Sequence, residues 1–309
     1  MLAPRPAPRL VGLDADRSCS YEGFVPRTNR DDLRVESLSC RPLSVPLVDS
    51  FVIASGRVDV TQSVEVVTHV RGNGAVVTGY GEAACLRPVT RENQDDVLRA
   101  IERVGPGLLG RPLPATLAAL EDVLGELLPG LPVARAGVEM SILDAMARVA
   151  RLPLRALLGG DVGARTHTLE TDITIAIAEP DHMARLAAAW RAKGFRALKV
   201  KVGADFDTDM RVLEAIRHSA PDMRLRIDAN AGLSPRQAIA LSRRCEALGL
   251  AVECWEQPCA AEDLDAMAEV AAAVEAPVIA DESVKTDTDL ASIIERRCAD
   301  GVNLKLAKM

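Results

Sequence analysis

The chain has 309 residues, 48% of them apolar and 26% charged, with a formal net charge of −7. Such a composition describes a globular protein, and the absence of a basic stripe argues against nucleic acid as a main partner. No apolar run approaches the roughly 20 residues of a membrane span, so no membrane partner is expected.

Residues 1–40 are rich in Pro, Arg, Asp and Ser without sustained periodicity, and read as a flexible N-terminal extension. Residues 41–165 read as an α+β domain. SVEVVTHV and AVVTGYGEA are β-rich, and the RGNG between them carries hairpin turn residues. ENQDDVLRAIERV, PATLAALEDVLGEL and ARAGVEMSILDAMARVARLP follow as helices. In the last, Val138, Ile142, Ala145 and Met146 share one face. Leu157-Leu158-Gly159-Gly160 closes the segment with glycine in a helix-stop position. Over 166–309, apolar strand-like runs alternate with helices, several opening on Asp or Ser in capping position. The alternation predicts a parallel sheet covered by helices, and hence an α/β fold of (β/α) barrel type. Six strands are counted where a closed barrel has eight, so the barrel is expected to be truncated after about the sixth strand. The seven cysteines are scattered without zinc-finger spacing, which predicts reduced thiols and a cytoplasmic protein. Cys254 and Cys259 are expected to be small packing residues. No apolar signal-peptide core opens the chain.

Polar residues recur at the ends of the six strand-like runs, about one strand–turn–helix unit apart. They are Thr174 in TDITIAI, Lys199 and Lys201 in ALKVKVG, Asp228 and Asn230 in LRIDAN, Glu256 in VECWEQP, Asp281 and Glu282 in VIADES, and Lys305 in VNLKL. In a barrel, strand C-terminal ends carry the functional groups. Lys199 and Lys201 fall on one strand face, with Leu198, Val200 and Val202 on the other. Two adjacent ammonium groups repel, which is expected to lower a lysine pKa and produce a base near neutral pH. Asp228, Glu256 and Asp281 end three successive strands, and three such carboxylates call for a cation. Their all-oxygen character points to Mg²⁺ or Mn²⁺; a ring of salt bridges with the lysines is the plainer alternative. Asn230 is placed to orient a ligand, while Glu282 and Ser283 would support the ligands from behind. Lys305, with Asn303 on the same face of the sixth strand, would lie across the barrel mouth from Lys201. One amine on either side of a substrate suits removal of a proton from carbon and its return from the opposite face. A metal-bound carboxylate would make the α-proton acidic through an enediolate.

LKVKVG, RIDAN, EQP, ADES and NLKLAKM together resemble the enolase superfamily, in its muconate-lactonizing subgroup, over about residues 41–309. That resemblance implies an α+β capping domain at 41–165 and a modified (β/α)7β TIM-like barrel from 166. It implies Asp228, Glu256 and Asp281 as Mg²⁺ ligands, Lys201 and Lys305 as acid/base catalysts, and Lys199 as a partner of Lys201 and the substrate carboxylate. TDITIAI, GYGEAACLRPVTREN and ARAGVEMSILDAMAR most resemble dipeptide epimerases, in which a threonine at the position of Thr174 lies near substrate. The loop at about 51–63 is expected to read the substrate side chain, with Arg57 the candidate contact. The implied activity is a Mg²⁺-dependent 1,1-proton transfer at the α-carbon of a dipeptide, in a homo-oligomer. Muconate cycloisomerase, o-succinylbenzoate synthase, N-acylamino acid racemase and an inactive truncated fragment are the alternatives.

Overall fold

The structure is a computed structural model that describes residues 33–308, apart from 55, 88, 115, 161–168 and 204. All but its last eight residues of the 1–40 extension, and Cys19 with it, lie outside the described residues. Contacts divide the chain into two compact units. One takes 33–46, 60–160 and 305–308; the other takes Leu47–Asp59 and Leu169–Leu304.

Five strands come first among the described residues: β1 (Arg34–Leu43), β2 (Pro46–Ile53), β3 (Gly56–Val60), β4 (Ser63–Gly72) and β5 (Ala75–Ala83). β1, β4 and β5 form an antiparallel sheet with β4 central. Residues 34–40, assigned above to the extension, are therefore strand. Their main chain is paired along β4, and Val35 is buried against the unit's core. The β4–β5 hairpin turns at Asn73 (φ 51°) and Gly74 (φ 77°), two successive left-handed residues as a type I′ turn requires. Four helices follow: α1 (Gln94–Leu108), α2 (Leu117–Leu127), α3 (Pro132–Ala150) and α4 (Leu154–Leu157). α3 lies tightly on β5. A Cβ at Gly81 would come within 2.1 Å of the Gly137 carbonyl oxygen, and one at Gly79 within 2.0 Å of the Ser141 oxygen. The glycines of GYGEA and ARAGVEM thus let helix and strand backbones touch. No side chain of its own caps α3; instead the buried Glu92 carboxylate accepts hydrogen bonds from the Val133 (2.8 Å) and Ala134 (3.0 Å) backbone N–H groups. Glu92 thereby satisfies two of the donors a helix start leaves open.

The second unit contains the β2–β3 pair and a six-stranded parallel sheet. The alternation runs β6 (Ile173–Ile175), α5 (Pro180–Ala192), β7 (Ala197–Lys201), α6 (Phe206–Ser219), β8 (Arg224–Asp228), α7 (Pro235–Ala247), β9 (Val252–Glu256), α8 (Leu264–Ala273), β10 (Val278–Ala280), α9 (Asp287–Arg296) and β11 (Gly301–Val302). Neighbours in sequence are neighbours in the sheet, from β6 at one edge to β11 at the other. Asp205, Ser234, Asp263 and Thr286 each cap a helix by accepting a backbone N–H three residues on. Leu198, Val200 and Val202 of the β7 segment are fully buried in the apolar core of this unit, together with Leu225, Ile227, Trp255 and Val278. The opposite strand faces are left for polar groups.

Candidate active site

β6, β7, β8 and β9 align their polar positions side by side. Thr174 pairs in register with Lys199, Lys199 with Arg226, Lys201 with Asp228, and Asp228 with Glu256. Further from the strand ends, Arg226 pairs with Asp172 and Glu253, and Arg224 with Glu170 and Glu253. This second ionic layer went unread in the sequence.

At the strand ends the groups converge. The Lys199 Nζ lies 2.8 Å from Asp228 Oδ2 and 2.7 Å from Glu256 Oε2. Lys201, only 7% exposed, donates to Asp228 Oδ2 at 2.6 Å and to Asn230 Oδ1 at 2.7 Å. Asn230 Nδ2 donates to Glu282 Oε1 at 3.0 Å, and Asn303 Nδ2 to Glu256 Oε1 at 2.8 Å. The other Glu282 oxygen, Oε2, is buried and has no hydrogen-bond partner. The Lys201 amine also faces the Phe51 ring, 5.9 Å from its centroid. Phe51 comes from β2, which is anchored by the Ile177 N–H donating to Val52 O at 3.0 Å.

The electrostatics differ from the expectation drawn from two adjacent lysines. Burial by itself would lower the Lys199 pKa, but the charges of Asp228 and Glu256 and their hydrogen bonds outweigh it and hold Lys199 above the ordinary lysine range. Those two carboxylates therefore favour the charged form of Lys199. Burial would raise the Asp228 carboxyl, yet the Lys199 and Lys201 ammonium groups hold it below the usual aspartate range. Glu256 is raised, first by burial and then by the charges of Asp228 and Asp281. Burial pushes the Cys254 thiol to about 11 and Cys259 likewise, which keeps both protonated.

Asp228 and Glu256 end β8 and β9, and Asp281 directly follows β10; all three are buried and offer oxygen alone. That donor chemistry fits a hard divalent cation. The Lys199 ammonium between Asp228 and Glu256 marks the same spot as one that a positive charge stabilises. As they stand, with the Lys199 ammonium between two of them, no three His, Cys, Asp or Glu side chains among the described residues are close enough together to hold a metal ion.

One expected placement is corrected. Lys305 is not on the sixth strand, because β11 ends at Val302. Its partner β10 stops at Ala280, the Asn303 N–H to Ala280 O bond is the last rung, and the chain at Asp281 turns away. Lys305 groups with the first unit. Arg57 is exposed on β3, where its guanidinium holds Asp59 and the Ser50 hydroxyl of the same hairpin.

Gln257 was missed. It is fully buried in a left-handed conformation (φ 36°), as are the backbones of Asn230 (φ 43°) and Ala231 (φ 65°) at the neighbouring strand end. Three such residues together mark a site whose backbone is held in sparsely populated conformations. Gln257 Oε1 accepts from the Asp281 N–H at 2.8 Å and the Ser283 N–H at 3.1 Å. Its Nε2 donates to Ser283 Oγ at 2.7 Å and Cys259 O at 3.0 Å.

Residues 42–159 match the mandelate racemase/muconate lactonizing enzyme N-terminal domain, and residues 182–309 match the enolase C-terminal domain-like family. The chain is 36% identical to the L-Ala-D/L-Glu epimerase of Bacillus subtilis over 279 residues, 89% of this chain and 74% of that protein. The chain belongs to the mandelate racemase/muconate lactonizing enzyme family. Within this enolase-superfamily architecture, the antiparallel sheet with its helices is the N-terminal capping unit and the parallel sheet is the barrel-like unit. A second family member, the aromatic dipeptide epimerase of Herpetosiphon aurantiacus, is 35% identical, with 89% of this chain and 75% of that protein aligned. The solved dipeptide epimerase from Enterococcus faecalis V583, complexed with Mg and the dipeptide L-Leu-L-Tyr, superposes with a TM-score of 0.79 at 28% identity, covering 89% of this chain and 75% of that one. The chain therefore spans about three quarters of the length of these relatives.

Proposed function

We propose that this chain is a dipeptide epimerase that moves the α-proton of a carboxylate substrate between two lysines, Lys201 and Lys305, with Mg²⁺ held by Asp228, Glu256 and Asp281. The observation that carries the reading is Lys201 itself: a buried amine aimed at the strand-end carboxylates and fixed by Asp228 and Asn230. The naming of relatives at 36% and 35% identity as epimerases supports the reaction class.

In this scheme the bound metal supplies Lewis-acid stabilisation of the charge that develops on the substrate carboxylate. The remaining work belongs to side chains. Lys199 adds a fixed positive charge beside that carboxylate, consistent with its raised pKa. Lys201 takes or returns the α-proton from one face, and Lys305, assigned by the family resemblance alone, serves the other. Asn230, itself held by Glu282, keeps the Lys201 amine aimed. Thr174, beside Lys199 in register, is the candidate for hydrogen bonding the peptide portion. Arg57, exposed on β3 beside Asp59 and Ser50, is the candidate for reading the substrate side chain.

A panel of L-Ala-L-X dipeptides, assayed by polarimetry with Mg²⁺ and again after EDTA, tests the proposal. Epimerisation of at least one dipeptide, lost with EDTA and restored by Mg²⁺, is expected. Turnover of N-acylamino acids with every dipeptide inert would overturn the substrate class.

A further inference from the structure

We infer that Gln257 is a positioning residue for the metal-binding carboxylates, setting the main chain from which Asp281 projects. This inference rests on the reading of Asp228, Glu256 and Asp281 as cation ligands. Gln257 directly follows Glu256, and its backbone already joins three strand ends: its N–H donates to Ile279 O at 2.9 Å, and its carbonyl accepts from the Ala231 N–H at 2.8 Å. The side chain then crosses to the segment after β10. There Oε1 satisfies the Asp281 and Ser283 N–H groups together, while Nε2 ties back to Cys259 O and Ser283 Oγ. Ser283 Oγ in turn donates to Ala261 O at 2.9 Å. In a fully buried place Oε1 thus accepts two hydrogen bonds, and Nε2 makes two to oxygen and a longer one to the Met267 sulfur at 3.7 Å; no other side-chain type of that size offers two donors and two acceptors without charge. Asp281 comes one residue after the end of β10, beyond the register of the β10–β11 pair. The Gln257 oxygen holds the main chain there, and a shift of Asp281 would cost ligand geometry in the way that lost supporting hydrogen bonds do at metal sites.

The test is Mg²⁺ affinity by isothermal titration calorimetry, alongside apo thermal melts, on wild type, Gln257→Met, Gln257→Glu and Leu241→Ala. Leu241 is buried in the helical layer and serves as a control for lost stability alone. Gln257→Met removes the oxygen at nearly unchanged size, and is expected to weaken Mg²⁺ about 10–100-fold. Leu241→Ala is expected to lower the melting temperature with affinity kept within about threefold of wild type. Gln257→Glu keeps the oxygen that accepts the two N–H groups, and is expected to stay within about tenfold of wild type. A Met variant that binds as tightly as wild type, or that weakens no more than the Leu241 control, would overturn the inference. Should the Met variant not fold, loss of more than tenfold in the Glu variant would overturn it instead, since its oxygen is retained. If wild type itself binds no Mg²⁺, the reading of the carboxylates fails and not the role of Gln257 alone.

Discussion

Lys201 is the side chain on which the chemistry turns, because it is buried, has two fixed partners and sits next to Asp228 in register. Replacing it with alanine should cost about 10²–10⁴-fold in kcat, the usual worth of a positioned acid/base group, with circular dichroism unchanged. Lys199→Ala should act differently. Its ammonium bridges two carboxylates, so its loss leaves Asp228 and Glu256 facing each other with less positive charge between them. The expected result is a rise in KM larger than the fall in kcat, read from steady-state kinetics over a range of Mg²⁺. The alternation of LKVKV on a strand was enough to put Lys199 and Lys201 on one face. It could not tell which of them pairs with which carboxylate. The expectation of mutual repulsion failed because two acids, Asp228 and the Glu256 that lies 57 residues away in sequence, stand closer to Lys199 than sequence spacing discloses. Gln257 was hidden for a related reason. Its five hydrogen bonds reach two to 26 residues along the chain and leave no periodic trace.

Among the elements, the contact of α3 with β5 sets the tightest demand. Gly81→Ala would push a methyl group against the Gly137 carbonyl, and should destabilise the protein by about 1–3 kcal/mol or more, measured by urea denaturation. The start of α3 offers a pH test. Burial raises the Glu92 carboxyl above the ordinary glutamate range, against the opposing Ala134 and Val133 N–H bonds. A carboxyl with a raised folded pKa takes up a proton on folding. Its stabilising contribution is therefore full below the unfolded value and is lost as pH rises through the folded one. Glu92→Gln cannot titrate, so wild type should lose melting temperature relative to this variant as pH climbs from 4 to 7; parallel profiles would count against the assignment. Helices and strands of the parallel sheet were legible from alternation, capping residues and apolar stripes. The end of β11 was not, because an edge strand extends only as far as its partner, and β10 is three residues long.

For the molecule as a whole, six parallel strands in sequence order bring polar residues from each strand end to one edge of the sheet, which is why the ordered set of motifs could be read as one site. Whole-molecule stability should then depend on the cation. At a free Mg²⁺ concentration one hundred times its dissociation constant, binding to the native state alone adds about 2.7 kcal/mol. A cooperative melt shifted upward by Mg²⁺ and back by EDTA is the expected result, and a melt indifferent to both would count against a site on the folded chain. The most direct measurement of the central claim is proton NMR of an epimerised dipeptide turned over in deuterated water. Proton transfer through lysine amines, which exchange with solvent, predicts deuterium at the α-carbon of the product, lost in Lys201→Ala. Product that keeps its original α-proton at full turnover would contradict the account.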